Sequence, residues 1–86
     1  MRIPASVRLP FGYVVAVKLV SDTEMADVIE CEHDEAPDGA WDVDSRTIYL
    51  RKVVPLGRKR YALGHELGHA LWDWQHHCLD EGAMKP

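Results

Sequence analysis

His65-Glu66-Leu67-Gly68-His69 is the stretch that decides how the rest of the chain is organised. It lies in a run with helical periodicity, where two histidines four residues apart project from one face, one turn above the other. Two such rings can bind one zinc ion through Zn–N bonds of about 2.0–2.1 Å. Glu66 follows the first histidine, where its carboxylate can take a proton from a water molecule that the metal activates. The motif therefore predicts a metal site on His65 and His69, with Glu66 as general base.

The helix that carries this motif is predicted from about Arg58 to Trp74. Its apolar residues recur at a helical spacing and predict a stripe that faces the core. The stripe consists of Leu63, Leu67, Ala70, Leu71 and Trp74. Gly64 and Gly68 each cost a helix about 0.5–1 kcal/mol relative to alanine, which predicts close packing there by the sheet or by a substrate backbone. The alternative interpretation of the motif is two surface histidines on an amphipathic helix.

The region before this helix is predicted to be rich in strands. Residues 1–12 contain two prolines and are expected to form an irregular N-terminal arm. Tyr13–Val20 is a β-branched run, predicted to be a strand that is central in a sheet or buried on both faces. Ala26–His33 alternates in polarity and predicts a second strand. Ala40–Val43 and Arg46–Val53 predict a hairpin around Asp44-Ser45, with Ile48 and Leu50 on one face.

These elements predict an α+β fold. A small antiparallel or mixed sheet of three to four strands would pack on the long motif helix, followed by a short C-terminal turn or helix. The length of 86 residues predicts one domain over 1–86. Two cysteines, Cys31 and Cys78, fit a reducing compartment. The chain shows neither a signal-peptide pattern nor an apolar run of about 20 residues, so we expect a cytoplasmic protein without a membrane partner.

The charges are unevenly distributed. The formal net charge is -4, which argues against a nucleic-acid partner, and ten of the 14 acidic residues lie within residues 22–44. A basic cluster follows, comprising Arg51, Lys52, Arg58, Lys59 and Arg60. Such runs are usually solvated faces, and a protein partner for the acidic segment 22–44 is the minority interpretation. The acidic segment could cover the basic cluster of its own chain or that of another chain.

The segment from Gly39 to Leu71 resembles the zincin metallopeptidases, and most closely the small ImmA/IrrE-type and phage-borne members. The resemblance is carried by Gly39-Ala40-Trp41-Asp42, by the strand that follows, by Arg58-Lys59-Arg60-Tyr61-Ala62-Leu63 and by the H-E-L-G-H motif. It implies that His65 and His69 are zinc ligands and that Glu66 is the general base. It also implies that the strand Arg46–Val53 is an edge that aligns an extended peptide substrate by strand addition.

A third zinc ligand is expected after the motif helix, because catalytic zinc usually has three protein ligands and one open position. We predict Glu81, which the chain can bring back to the site and which resembles the glutamate ligand of the gluzincins. His77, Cys78 and Asp80 are alternatives. His76 lies on nearly the same face as the motif histidines, but about 10 Å further along a straight helix, so it could ligate only if the helix breaks near Gln75. Without ligation, this cluster is a polar helix end.

Four further residues near the motif are candidates for a role in the site or in the core. Tyr61 could line the cleft or pack, and Trp72 could form a wall of the site. Trp74 is expected in the core. Asp73, one turn after His69, is a candidate to orient that ring. The leading hypothesis is a zinc metallopeptidase acting on a peptide or protein substrate. The alternative is a catalytically inactive, zincin-derived structural or protein-binding module, for example in a phage particle, whose zinc serves folding.

Overall fold

The computed structural model describes residues 3–29 and 37–76, which form a four-stranded mixed sheet and two helices. In chain order the elements are β1 (Ser6–Leu9), β2 (Tyr13–Val20), α1 (Asp22–Ile29), β3 (Gly39–Asp42), β4 (Thr47–Arg51) and α2 (Leu56–Gln75). The predicted α+β class is confirmed. Neither described helix combines the length and the apolarity that crossing a membrane requires. The predicted C-terminal turn or helix lies outside the described residues.

The sheet has the strand order β1-β2-β4-β3. Its two hairpins are antiparallel, and they join through a parallel pairing of β2 with β4 that aligns Ala16 with Thr47. The prediction that Tyr13–Val20 is a central strand is confirmed. The prediction that it is buried on both faces is wrong, since Val15 is fully buried while its neighbour Val14 is 44% exposed. One face of β2 therefore packs on α2, and the other face is partly open.

The N-terminal arm is more regular than predicted. Ser6–Leu9 forms the edge strand β1, which pairs with β2 from Ser6↔Ala16 to Leu9↔Tyr13. The prolines at positions 4 and 10 misled the prediction, because proline is tolerated just outside an edge strand. Phe11 and Gly12 close the hairpin with φ angles of 68° and 75°. This left-handed region suits glycine and strains a phenylalanine.

The predicted strand Ala26–His33 is wrong over its described part, because Asp22–Ile29 is the helix α1. Residues Ser21 to Glu24 have the sequence pattern of a capping box, in which the first residue caps the helix. The backbone N–H of Glu24 donates a hydrogen bond to Ser21 Oγ at 3.1 Å, and that hydroxyl donates to Glu24 Oε1 at 3.3 Å. The remainder of the predicted strand, with Cys31 and His33, lies outside the described residues.

Replacing Ser21 with alanine is expected to lower the free energy of unfolding by about 0.5–2 kcal/mol, the usual effect of losing an N-cap. Urea unfolding followed by far-UV circular dichroism would measure this loss. Thr23→Ala is the matched control, because Thr23 is an exposed hydroxyl residue of the same helix without a described hydrogen bond. Equal losses in the two variants would contradict the capping role.

The second hairpin is confirmed, but the predicted edge is wrong. β3 and β4 pair antiparallel through a turn over residues 43–46, in which Asp42 accepts hydrogen bonds from the Asp44 backbone N–H and the Ser45 hydroxyl at 3.1 and 2.9 Å. β4 has neighbours on both sides, since it also pairs with β2. Among the described strands, the edge on this side of the sheet is therefore β3. A local alternation pattern predicts a strand but carries no information about its position in the sheet.

The core lies between the sheet and α2. Ile48 and Leu50, which were predicted to share one face of the strand, are both fully buried, and α2 meets them with Ala62 and Ala70. The small side chains let the helix approach the sheet closely. One prediction about α2 is wrong, since Leu71 is 44% exposed rather than core. Gly64 and Gly68 do not pack against the sheet, because a Cβ added to either would meet no described atom within 4 Å. Close approach of a substrate backbone to these glycines stays a prediction.

Candidate functional site

The motif histidines lie together on an exposed flank of α2. The ring centroids of His65 and His69 are 5.0 Å apart, and the ring planes meet at 81°. Two imidazoles on a tetrahedral zinc, with bonds of about 2.0–2.1 Å, would have their centroids roughly 5 Å apart. The observed spacing therefore fits a shared metal ion. Both side chains are exposed, so an ion could reach them from solvent.

Glu66 lies on a different part of the helix, at its buried side. It is only 9% exposed and sits between Ala62 and Ala70 on the face that packs against the sheet. Among residues 3–29 and 37–76, no group donates a hydrogen bond to the Glu66 carboxylate, and no cationic side chain forms an ion pair with it. The described residues contain no fully buried side-chain oxygen that lacks a hydrogen-bond partner, so the Glu66 carboxylate oxygens keep contact with solvent although most of the side chain is buried. No described hydrogen bond or ion pair requires a glutamate at this position.

Gly39, the first residue of β3, allows this close arrangement. A Cβ added to Gly39 would lie 3.2 Å from Ala62 Cβ, 3.2 Å from Leu50 Cδ2 and 3.3 Å from Glu66 Cγ. These distances are tighter than ordinary carbon–carbon contacts, which are about 3.5–4.0 Å. A larger residue at position 39 would displace either the helix or the Glu66 side chain. The missing side chain of Gly39 thus helps to fix where the Glu66 carboxylate lies.

A cleft of about 300 Å³ opens between the start of β3 and α2. It is lined by Pro37, Asp38, Gly39, Tyr61, Ala62, His65 and Glu66. Two of the three motif residues thus face one concave surface. Tyr61 is 80% exposed and lines the cleft, which was one of the two roles predicted for it.

Asp38 holds one wall of this cleft in place. Its carboxylate accepts two hydrogen bonds from Arg58, at 2.7 and 2.9 Å, and one from Arg51 at 3.3 Å. Arg51 also pairs with Asp22 of α1 at 2.9 Å. The paired hydrogen bonds from the Arg58 guanidinium fix the orientation of the Asp38 carboxylate. Part of the acidic segment 22–44 therefore neutralises the basic cluster of its own chain, which the sequence left open.

The third ligand is not identified. Within residues 3–29 and 37–76, no group of three or more His, Cys, Asp or Glu side chains could hold a metal ion. The predicted ligand Glu81 and the alternatives His77, Cys78 and Asp80 lie outside the described residues. Glu81 therefore stays a prediction.

His76 does not meet the condition for ligation. The helix runs on to Gln75, and His76 itself keeps α-helical angles with φ -63° and ψ -44°. Its ring packs on Trp72 at a centroid distance of 4.3 Å, and its Nδ1 donates a hydrogen bond to the Trp72 carbonyl at 2.9 Å. The helix break that would bring this ring back towards His69 is therefore absent from the described part of α2.

The other predicted roles have mixed outcomes. The Asp73 carboxylate accepts a hydrogen bond from the indole N–H of Trp41 and not, among the described residues, from the His69 ring. Trp74 packs against the core and donates a hydrogen bond to the Pro10 carbonyl at 3.0 Å, in agreement with a core role. Trp72 is 62% exposed and does not line the cleft.

Sequence reasoning missed Asp38, Gly39 and the Trp41–Asp73 pair as parts of the site. A glycine directly before a short predicted strand is compatible with a close approach, but the helix that approaches Gly39 is distant in sequence. Comparison with known proteins adds no assignment: no protein-family model, no curated protein and no solved structure matches this chain.

Proposed function

We propose that the protein is a zinc-dependent peptidase that hydrolyses peptide bonds, with Glu66 as its general base. One observation supports this most strongly. Glu66 is 9% exposed, has no described hydrogen-bond donor, and faces the same cleft as His65. A carboxylate that opens to the cleft and is used in no described hydrogen bond or ion pair is available for proton transfer.

The residues would divide the chemistry as follows. His65 and His69 would hold the zinc ion together with a third ligand, for which Glu81 remains our candidate. When bound, the zinc ion would polarise the substrate carbonyl and activate a water molecule for attack. Glu66 would take a proton from that water and deliver it to the amine that leaves when the C–N bond breaks. Its position in the cleft next to His65 gives the carboxylate access to both groups.

The substrate would bind in an extended conformation along β3. This strand pairs only with β4 among the described strands, so its other edge can accept main-chain hydrogen bonds from a peptide. β3 begins at Gly39, next to Glu66, so a peptide on this edge would pass the motif residues. The sequence-based proposal had placed the peptide on Arg46–Val53, which the interior position of β4 rules out.

Zinc titration of the purified protein by isothermal calorimetry tests the metal site. We expect one zinc per chain in the wild type and loss of measurable binding in His65→Ala and His69→Ala, because each variant removes a predicted ligand. His76→Ala is the matched control, a histidine on the same helix that should not change the affinity. Equal binding by all four proteins would rule out the proposed site.

Digestion of fluorescein-labelled casein in the same preparations tests the activity. Zinc-dependent release of fluorescent peptides, absent from the two ligand variants, would support the peptidase. Zinc binding without any hydrolysis, together with a large rise in melting temperature on zinc addition, would favour the alternative of a structural zinc module. Repeating the titration with Glu81→Gln tests whether that residue completes the site.

A further inference from the structure

The strand β3 is fastened to α2 at two points. At its start, Gly39 packs against Glu66 with no side chain between them. Two residues later, the indole N–H of Trp41 donates a hydrogen bond to the carboxylate of Asp73. These two contacts set β3 alongside the helix from Glu66 to Asp73. The start of β3 and the proposed ligand His65 thus lie on the same cleft.

The second contact, between Trp41 and Asp73, fixes the position of the strand as well as adding local stability. β3 is only four residues long and pairs with one strand, β4. Its far end is otherwise held by the packing of Trp41 against the core and by the turn hydrogen bonds of Asp42. Short edge segments with few contacts open most readily in native proteins. A hydrogen bond to a charged acceptor is roughly twice as strong as one between neutral groups. This bond joins residues 32 positions apart in the chain and fixes the strand directly to the motif helix.

We propose that Trp41 and Asp73 form a positioning pair that fixes the open edge of β3 beside the His65–Glu66–His69 face and thereby sets the affinity for an extended peptide. The pair touches neither the metal nor the reacting atoms. This inference rests on the proposed peptidase function for its effect on substrate. Its structural part, the fastening of β3 to α2, can be tested without any activity.

Trp41→Phe and Asp73→Ala remove the bond from its two ends. Phenylalanine keeps an aromatic ring against the core, while it loses the N–H donor and part of the indole volume. Asp73→Asn is the conservative variant, because its amide oxygen still accepts a hydrogen bond from Trp41. Trp74→Phe is the matched control, since it deletes an indole donor that serves Pro10 instead of the strand.

Amide hydrogen exchange measured by NMR gives the readout that is independent of activity. We expect residues 39–42 to exchange about tenfold faster in Trp41→Phe and Asp73→Ala than in the wild type. The amides of the β1–β2 hairpin should be unchanged in the same samples, and Asp73→Asn should stay close to the wild type. Unchanged exchange in residues 39–42 of Trp41→Phe overturns the proposal.

Kinetics give the second readout, using the casein peptide that the wild type cleaves fastest, resynthesised with a fluorophore and a quencher. We expect KM to rise about tenfold in Trp41→Phe, while kcat and the zinc affinity stay within about twofold of the wild type. The reason is that the variant weakens the binding of substrate and transition state equally and leaves proton transfer intact. A fall in kcat at unchanged KM contradicts the proposal. Weaker zinc binding in Asp73→Ala but not in Trp41→Phe also contradicts it, because Asp73 would then act by orienting His69.

The two readouts separate this inference from the proposed function. If the wild type cleaves no casein, the peptidase proposal fails, and the exchange data alone decide whether the pair fastens β3. If casein is cleaved while KM and exchange are unaffected in Trp41→Phe, the peptidase stands and the positioning role is wrong.

Discussion

Glu66→Gln is expected to lower the hydrolysis of fluorescein-labelled casein by about 10²–10⁴-fold, the usual contribution of a general base. Glutamine fills nearly the same volume beside Gly39 and Ala62, but it cannot take a proton from water. The amount of bound zinc should stay at one per chain, because His65 and His69 are untouched. Calorimetric zinc titration and casein digestion of the same preparation measure the two quantities.

The stability of Glu66→Gln distinguishes a catalytic residue from a structural one. Because the Glu66 carboxylate makes no described hydrogen bond or ion pair, its replacement by an amide of nearly the same size should not lower the melting temperature below that of the wild type. Asp27→Asn, at an exposed carboxylate on α1, is the matched control and should change neither hydrolysis nor melting. Full hydrolysis by Glu66→Gln would exclude the mechanism. Loss of zinc would instead mean that Glu66 is a ligand.

Leu50→Ala is expected to lower the free energy of unfolding by about 2–5 kcal/mol, the range for a buried leucine replaced by alanine. Leu50 is fully buried in the strand at the centre of the sheet and lies next to the position where Gly39 meets α2. Small domains have total stabilities of about 5–15 kcal/mol, so this loss is a large fraction. Urea unfolding at 25 °C, followed by circular dichroism, gives the value.

Leu19→Ala is the matched control for this experiment. Leu19 is the direct pairing partner of Leu50 across the parallel strands, but it is 46% exposed. Its truncation removes the same atoms from a half-solvated site and should cost about 1 kcal/mol or less. A loss from Leu19→Ala as large as that from Leu50→Ala would show that burial at this point of the sheet does not determine stability.

The fold was predictable where a pattern is long and local. The strand Tyr13–Val20, the second hairpin and the motif helix each follow from their own residues. α1 was missed because an alternating segment outweighed the capping box at Ser21 and Glu24, which is an equally local signal. The prediction that β4 is the edge strand failed for a different reason. β4 becomes an interior strand only through its pairing with β2, which lies some 30 residues earlier in the chain.

The site was predictable in its motif and not in its surroundings. Spacing alone puts His65 and His69 on one flank, and the structure brings their rings to a distance that fits one metal ion. The contacts of Gly39 and Asp38 arise from tertiary packing, which no local pattern encodes. Asp73 shows the limit most clearly. Its spacing from His69 suggested a hydrogen bond within the helix, but its carboxylate accepts one from Trp41 on the neighbouring strand instead.

The described parts of the candidate site come from one continuous stretch of chain. Every described residue that lines the cleft lies between 37 and 66, and the elements that carry these residues, β3 and α2, are joined through β4. Residues 3–29 supply β1, β2 and α1, which back this unit without lining the cleft. On the proposed function, we therefore expect sequence change to be distributed unequally. Residues 3–29 would be free to vary wherever their packing volume is kept, whereas residues 37–76 would have to preserve both packing and chemistry.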